Sequence, residues 1–231
     1  MSKIVAQAAT RDNAAVHPSS PPGLTDRLRQ WYGRWRRAEP IADADALRDF
    51  LRTRASRIAQ LTLYGYLRTR AGTRFPELFE NDDFVVSMNI AKWHVWLACL
   101  SDLAVHAGAL LRRTRASSPE KVGGLIRRLV DDVLHETGIP AEAGPEYSEH
   151  ANRVRARLAL HDWGEQVDDD AAFAESPTAL VYWAPIVDDL KALDDEIVRN
   201  SIRYRWIEVR RELHRNLDAA GVMGTAQSHG G

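Results

Sequence analysis

The chain has 231 residues, 45% of them hydrophobic and 27% charged, with a formal net charge of −1. That length suits one helical domain plus short flanking segments, and the near-neutral charge gives no reason to expect a nucleic-acid partner. The ten prolines and fourteen glycines exclude a collagen-like or wholly disordered chain. The single cysteine, Cys99, excludes an intrachain disulfide and a thiol-only metal site.

Residues 1–22 are polar, with Arg11, Asp12 and Asn13 where a signal peptide needs an apolar run, and are expected to be a disordered leader. Residues 23–40 read as a basic amphipathic helix, with Thr25 as N-cap and Glu39-Pro40 as its close. A helical bundle domain is expected over 41–218. Its first helix runs from about Asp43 to Arg70, where Leu47, Phe50, Leu51, Ile58, Leu61, Leu63 and Tyr64 recur at helical spacing. Ala71-Gly72-Thr73 breaks it, and Phe75-Pro76 restarts the chain.

The next helix follows Asp82-Asp83 and is apolar around most of its circumference, as a central bundle helix should be. Its stretch Phe84 to Leu111 is interrupted by Lys92, His94, Asp102 and His106. A membrane span needs about 20 nearly uninterrupted apolar residues, so this is read as a buried core helix of a cytoplasmic protein. Ser118-Pro119 pairs an N-cap with proline at the first helical position, and that helix ends at Thr137-Gly138. Another spans roughly Pro145 to Trp163. After the acidic run Asp168-Asp169-Asp170, Ser176-Pro177 repeats the cap logic for a last helix to about Leu217, kinked at Pro185. Residues 219–231 read as a disordered tail. No strand pattern and no internal repeat stands out. The expected fold is all-α, an irregular bundle of about five or six helices with flexible tails.

Charge is unevenly distributed. Residues 1–74 hold 14 Arg/Lys against 6 Asp/Glu, whereas residues 131–196 hold 4 against 17. Either the two stretches attract each other across the bundle, or the basic one meets an acidic partner or anionic lipid.

Catalytic signatures are missing: there is no Gly-x-Ser-x-Gly, no phosphate-binding glycine loop and no His-Glu-x-x-His. No cofactor and no metal is therefore expected. What remains are carboxylate–histidine pairs at helical spacing: Asp102 with His106, Asp131 and Asp132 with His135, Glu146 with His150. Ser87, His94 and Ser101, seven residues apart, form a polar stripe on the apolar helix. His94 is either a hydrogen-bonded core histidine or part of a pocket wall. Gly123-Gly124 inside a helix reads as close helix packing. Trp93, Trp96 and Trp183 read as core. Trp31 and Trp35 continue the stripe Leu24-x-x-x-Leu28-x-x-Trp31-x-x-x-Trp35, flanked by Arg27, Arg29, Arg34, Arg36 and Arg37. Such a helix suits a membrane interface or a partner groove.

The order Leu63-Tyr64, Arg70, Phe75, Asp83-Phe84, His94-Val95, Leu100 to Leu103, Asp132 and Glu136 to Gly138 resembles the ubiquinol–cytochrome c chaperone family, over about residues 60–165. Glu80-Asn81-Asp82 and Asn152-Arg153-Val154 stand where that family has a Pro-Asp-Thr turn and a Gly-Lys-Arg-like step. The resemblance implies a helical, non-enzymatic assembly factor for cytochrome b.

The expected function is accordingly a chaperone, assembly factor or adaptor for a hydrophobic or membrane-associated protein, peripheral to the inner face of a membrane. Arg27, Trp31, Arg34, Trp35, Arg36 and Arg37 would contact the partner or an anionic membrane surface. Two alternatives stand beside it. One is a small-molecule hydrolase of the esterase type, or another enzyme, with His94 as general base and Ser101 or Asp102 beside it. The other is a helical scaffold that forms a homo-oligomer.

Overall fold

The computed structural model describes residues 40–114, 117–165 and 171–228. The expected basic helix, with Arg27, Trp31, Arg34, Trp35, Arg36 and Arg37, lies outside them, as does the Asp168-Asp169-Asp170 run. Seven α-helices and no strand are present among the described residues.

The first, α1 (Ala44–Ala71), begins where the Asp43 side chain accepts from the Ala46 N–H at 2.8 Å. It stops at Gly72, whose φ of 57° lies in the left-handed region open to glycine. A 3-10 segment (Gly72–Glu80) leads to Asn81, whose side chain accepts from the Phe84 N–H and starts α2 (Asp82–Arg113). Among the described residues α2 is the one helix long and apolar enough to cross a membrane, and 94% of its apolar window is buried inside the bundle. It is the central element, packed by α1, by α3 (Pro119–Thr137), by α4 (Tyr147–Leu160) and by α5 (Glu175–Trp183). Ser118 and Pro119 start α3 as the sequence predicts. Close packing at Gly123 is also observed. The Trp163 indole lies against Gly108 of α2 and Gly123 of α3, where an added Cβ would come within 2.1 and 2.5 Å of the ring.

The C-terminal third departs from expectation in three places. The single kinked helix is two helices, α5 and α6 (Asp188–Asn216), because proline excludes helical backbone at the preceding residue, and Ala184 before Pro185 has ψ 130°. Ser176 is not an N-cap: α5 starts one residue earlier, and Ser176 is buried, its hydroxyl accepting from the Trp206 indole at 3.0 Å. Residues 219–228 of the expected tail form α7 (Ala219–Ser228), because Ala219, Val222 and Met223 share a helix face and bury it. Ile41 and Leu217 form a single β-bridge that closes the end of α6 onto the start of α1.

The two charged stretches do meet. Arg70 of α1 pairs with Asp194 of α6, and Arg48 of α1 lies 3.5 Å from Glu136 of α3.

Candidate functional site

His94 sits midway along α2 with 1% of its surface exposed, as its apolar surroundings predict. Its partner comes from α4: the Nδ1 atoms of His94 and His150 are 2.5 Å apart. The Trp183 ring at the end of α5 stacks on His94, with centroids 3.8 Å apart and planes within 9°. Three helices thus each give one ring to a single cluster, and that cluster forms one wall of a cavity of about 480 Å³.

Both alternatives for His94 are met at once: it is a buried, hydrogen-bonded histidine, and it lines a pocket. Burial pushes its imidazole down to about 4, with His150 adding to the effect and Glu146 opposing it. His150 is lowered as well, first by burial and then by Arg153. Both shifts favour the neutral imidazole. A contact between two neutral imidazoles through Nδ1 needs one donor and one acceptor. His94 Nε2 is buried without a hydrogen-bond partner among the described residues, so which ring donates at the Nδ1 contact is set by the tautomer.

Ser101, two turns along α2, lines the same cavity. Its hydroxyl accepts from Arg157 Nη1 at 2.9 Å. Asp102 does not join them. It is fully buried, and its carboxylate accepts from Arg157 at 2.6 Å and from the backbone N–H groups of Glu175 at 3.2 Å and Ser176 at 2.7 Å. Those N–H groups belong to the first turn of α5, so Asp102 caps that helix from another one. Burial pushes its carboxyl up, and Arg157 and Ser176 act against that. The expected catalytic grouping of His94, Ser101 and Asp102 is thus divided. The first two face the cavity, while Asp102 holds α4 and α5 to α2.

The remaining wall carries Glu146 just before α4, Arg153 and Arg157 from α4, and Glu175 and Thr178 from α5, two acids against two bases. Residues 146, 150, 153 and 157 fall on one face of α4, a polar stripe visible in the sequence, although only the Glu146–His150 pair was singled out there. Trp183, read as core, is the ring against His94. Of the other pairs, Asp131 bonds Arg155 at 2.8 Å. Cys99 is fully buried and its thiol is pushed well up by burial. Among the described residues no group of three or more His, Cys, Asp and Glu could hold a metal ion.

A second, wider groove of about 990 Å³ lies between α2 and the C-terminal half of α6 and is lined by Arg203, Arg211 and His214 among others. No known protein family, curated protein or solved structure matches the chain.

Proposed function

We propose that His94 accepts at Nδ1 and His150 donates there, and that the protein binds a small, uncharged ring compound in the cavity between α2, α4 and α5, with the free Nε2 of His150 accepting a hydrogen bond from it. The observation that carries this reading is the His94–His150 Nδ1 contact in the wall of a cavity of ligand size. Leu97, Ala98, Val154, Ala179 and Trp183 supply apolar surface, and the two acids and two bases of the wall balance in number. A lone pair on a neutral imidazole selects a donor, and an ammonium or carboxylate would have to lose its hydration without compensation.

Calorimetric titration of the full chain with phenol, toluene and benzoate tests it. Phenol should bind, toluene more weakly and benzoate not at all, and His150→Ala should abolish the preference for phenol over toluene. Equal binding of phenol and toluene, or no binding of either, would overturn the reading.

The assembly-factor reading draws support from different residues. Five arginines flank the Trp31–Trp35 stripe in residues 24–37, a composition that suits an anionic membrane surface or a membrane-bound partner.

A further inference from the structure

Helix α6 carries two apolar stripes. Val198, Ile202, Trp206, Val209 and Leu213 are buried in the bundle. A second series, Leu190, Leu193, Ile197, Tyr204 and Ile207, is exposed, with Leu193, Ile197 and Tyr204 each more than 70% so, and its Tyr204 and Ile207 also line the rim of the wide groove beside α2. With Asn200 these positions run at alternating spacings of three and four residues, the pattern of a coiled-coil seam, for about 26 Å of helix. Scattered exposed apolar residues need no explanation, but a continuous seam of them does.

The charges beside the seam indicate its occupant. Along one flank, every seventh residue is Asp189, Glu196, Arg203 and Arg210: two acids, then two bases. In a parallel pair this row would face the other flank of the partner's seam, Asp194, Ser201 and Glu208, which sets acid against acid at Asp189 and Asp194 and leaves Glu196 opposite a serine. Run in opposite directions, two such rows set Glu196 against Arg203 and Asp189 against the Arg210 end, while Leu193 meets Tyr204 and Leu190 meets Ile207. We infer that the protein forms a homodimer in which α6 pairs antiparallel with α6 of a second copy. The interface is isologous, with each copy offering the same face, and the charge row fixes its direction. Arg203 is exposed, and its side chain bonds the neutral Asn200 one turn away. No residue of the seam lines the cavity at His94, so this inference and the ligand reading stand separately.

Sedimentation velocity of the full chain over a concentration series tests it. The wild type should sediment as a dimer, and Leu193→Glu/Ile197→Glu as a monomer. By symmetry each single charge change, Glu196→Arg or Arg203→Glu, creates two like-charge contacts per dimer and should weaken association about tenfold. Combining the two changes restores opposite charges across the interface and should recover the wild-type dimer. Seam and flank residues changed here are exposed, so unaltered circular dichroism and melting will show that each variant is folded. A wild type that stays monomeric at about 100 µM overturns the inference. So does a dimer indifferent to Leu193→Glu/Ile197→Glu, or a charge double variant no better than its parents.

Discussion

The carboxylate of Asp102, inside α2, accepts a 2.7 Å hydrogen bond from the backbone N–H of Ser176, 74 residues further along the chain. Through this bond, and through Arg157, the central helix of the bundle fixes the positions of the two helices that complete the His94 cavity.

Because that carboxylate is fully buried, removing either side of its ion pair leaves an uncompensated charge. Asp102→Ala and Arg157→Ala should each cost about 3–5 kcal/mol of stability, measured by urea denaturation. The double variant should cost less than the sum of the two. Additive losses would mean that the pair does not act as a unit.

The same pair explains which elements were legible in sequence. Asp43, Asn81 and Ser118 each cap the helix that follows them in the chain, so α1, α2 and α3 could be read locally. The start of α5 was legible to within two residues at Ser176-Pro177, but its cap was not, because that comes from α2. Only the composition of α2, apolar around its circumference, signalled that His94 and Asp102 are buried; what they bond depends on residues more than 50 positions away. Gly221 and Gly224 suggested a tail in sequence, yet Val222 and Met223 bury enough surface to hold α7 in place.

Acid should weaken the fold through His94. Its pKa is about 4 in the folded protein and about 6.5 when unfolded. Between those values the unfolded chain binds the extra proton, so stability falls as pH drops from about 6.5 to about 4 and levels off below that. The slope for one such group is at most about 1.4 kcal/mol per pH unit, and His150 acts in the same direction. Comparing urea denaturation of wild type and His94→Gln at pH 7, 5.5 and 4.5 checks this. The variant should lose less stability over that range, and parallel curves would contradict the neutral, buried imidazole.

Packing of Trp163 gives a steric prediction. A methyl group at Gly108 would stand 2.1 Å from the Trp163 ring, and one at Gly123 2.5 Å. Gly108→Ala and Gly123→Ala should each lower stability by about 1–3 kcal/mol, despite the better helix propensity of alanine. Gly124→Ala, with nothing within 4 Å of the added carbon, is the control and should be neutral or stabilising.

Cys99 should react slowly with a thiol reagent in the native protein and fast after denaturation, since it is fully buried and its thiolate is disfavoured. Rapid native labelling would mean that α2 opens readily to solvent.

The membrane reading of residues 24–37 predicts co-sedimentation with anionic liposomes at low salt and loss of it at high salt. Trp31→Ala/Trp35→Ala should bind less than wild type. Equal recovery of the two proteins, or recovery of neither, would remove the support those residues give to that reading.

The central claim, a neutral imidazole pair that offers one lone pair to a ligand, is tested most directly by long-range ¹H–¹⁵N NMR of the histidine side chains at pH 7, without and with phenol. The spectrum should show His94 protonated at Nε2, His150 protonated at Nδ1 and neither ring as imidazolium, and phenol should shift His150 Nε2 most. An imidazolium at either position, or a His150 Nε2 signal that phenol leaves unmoved, would contradict the account.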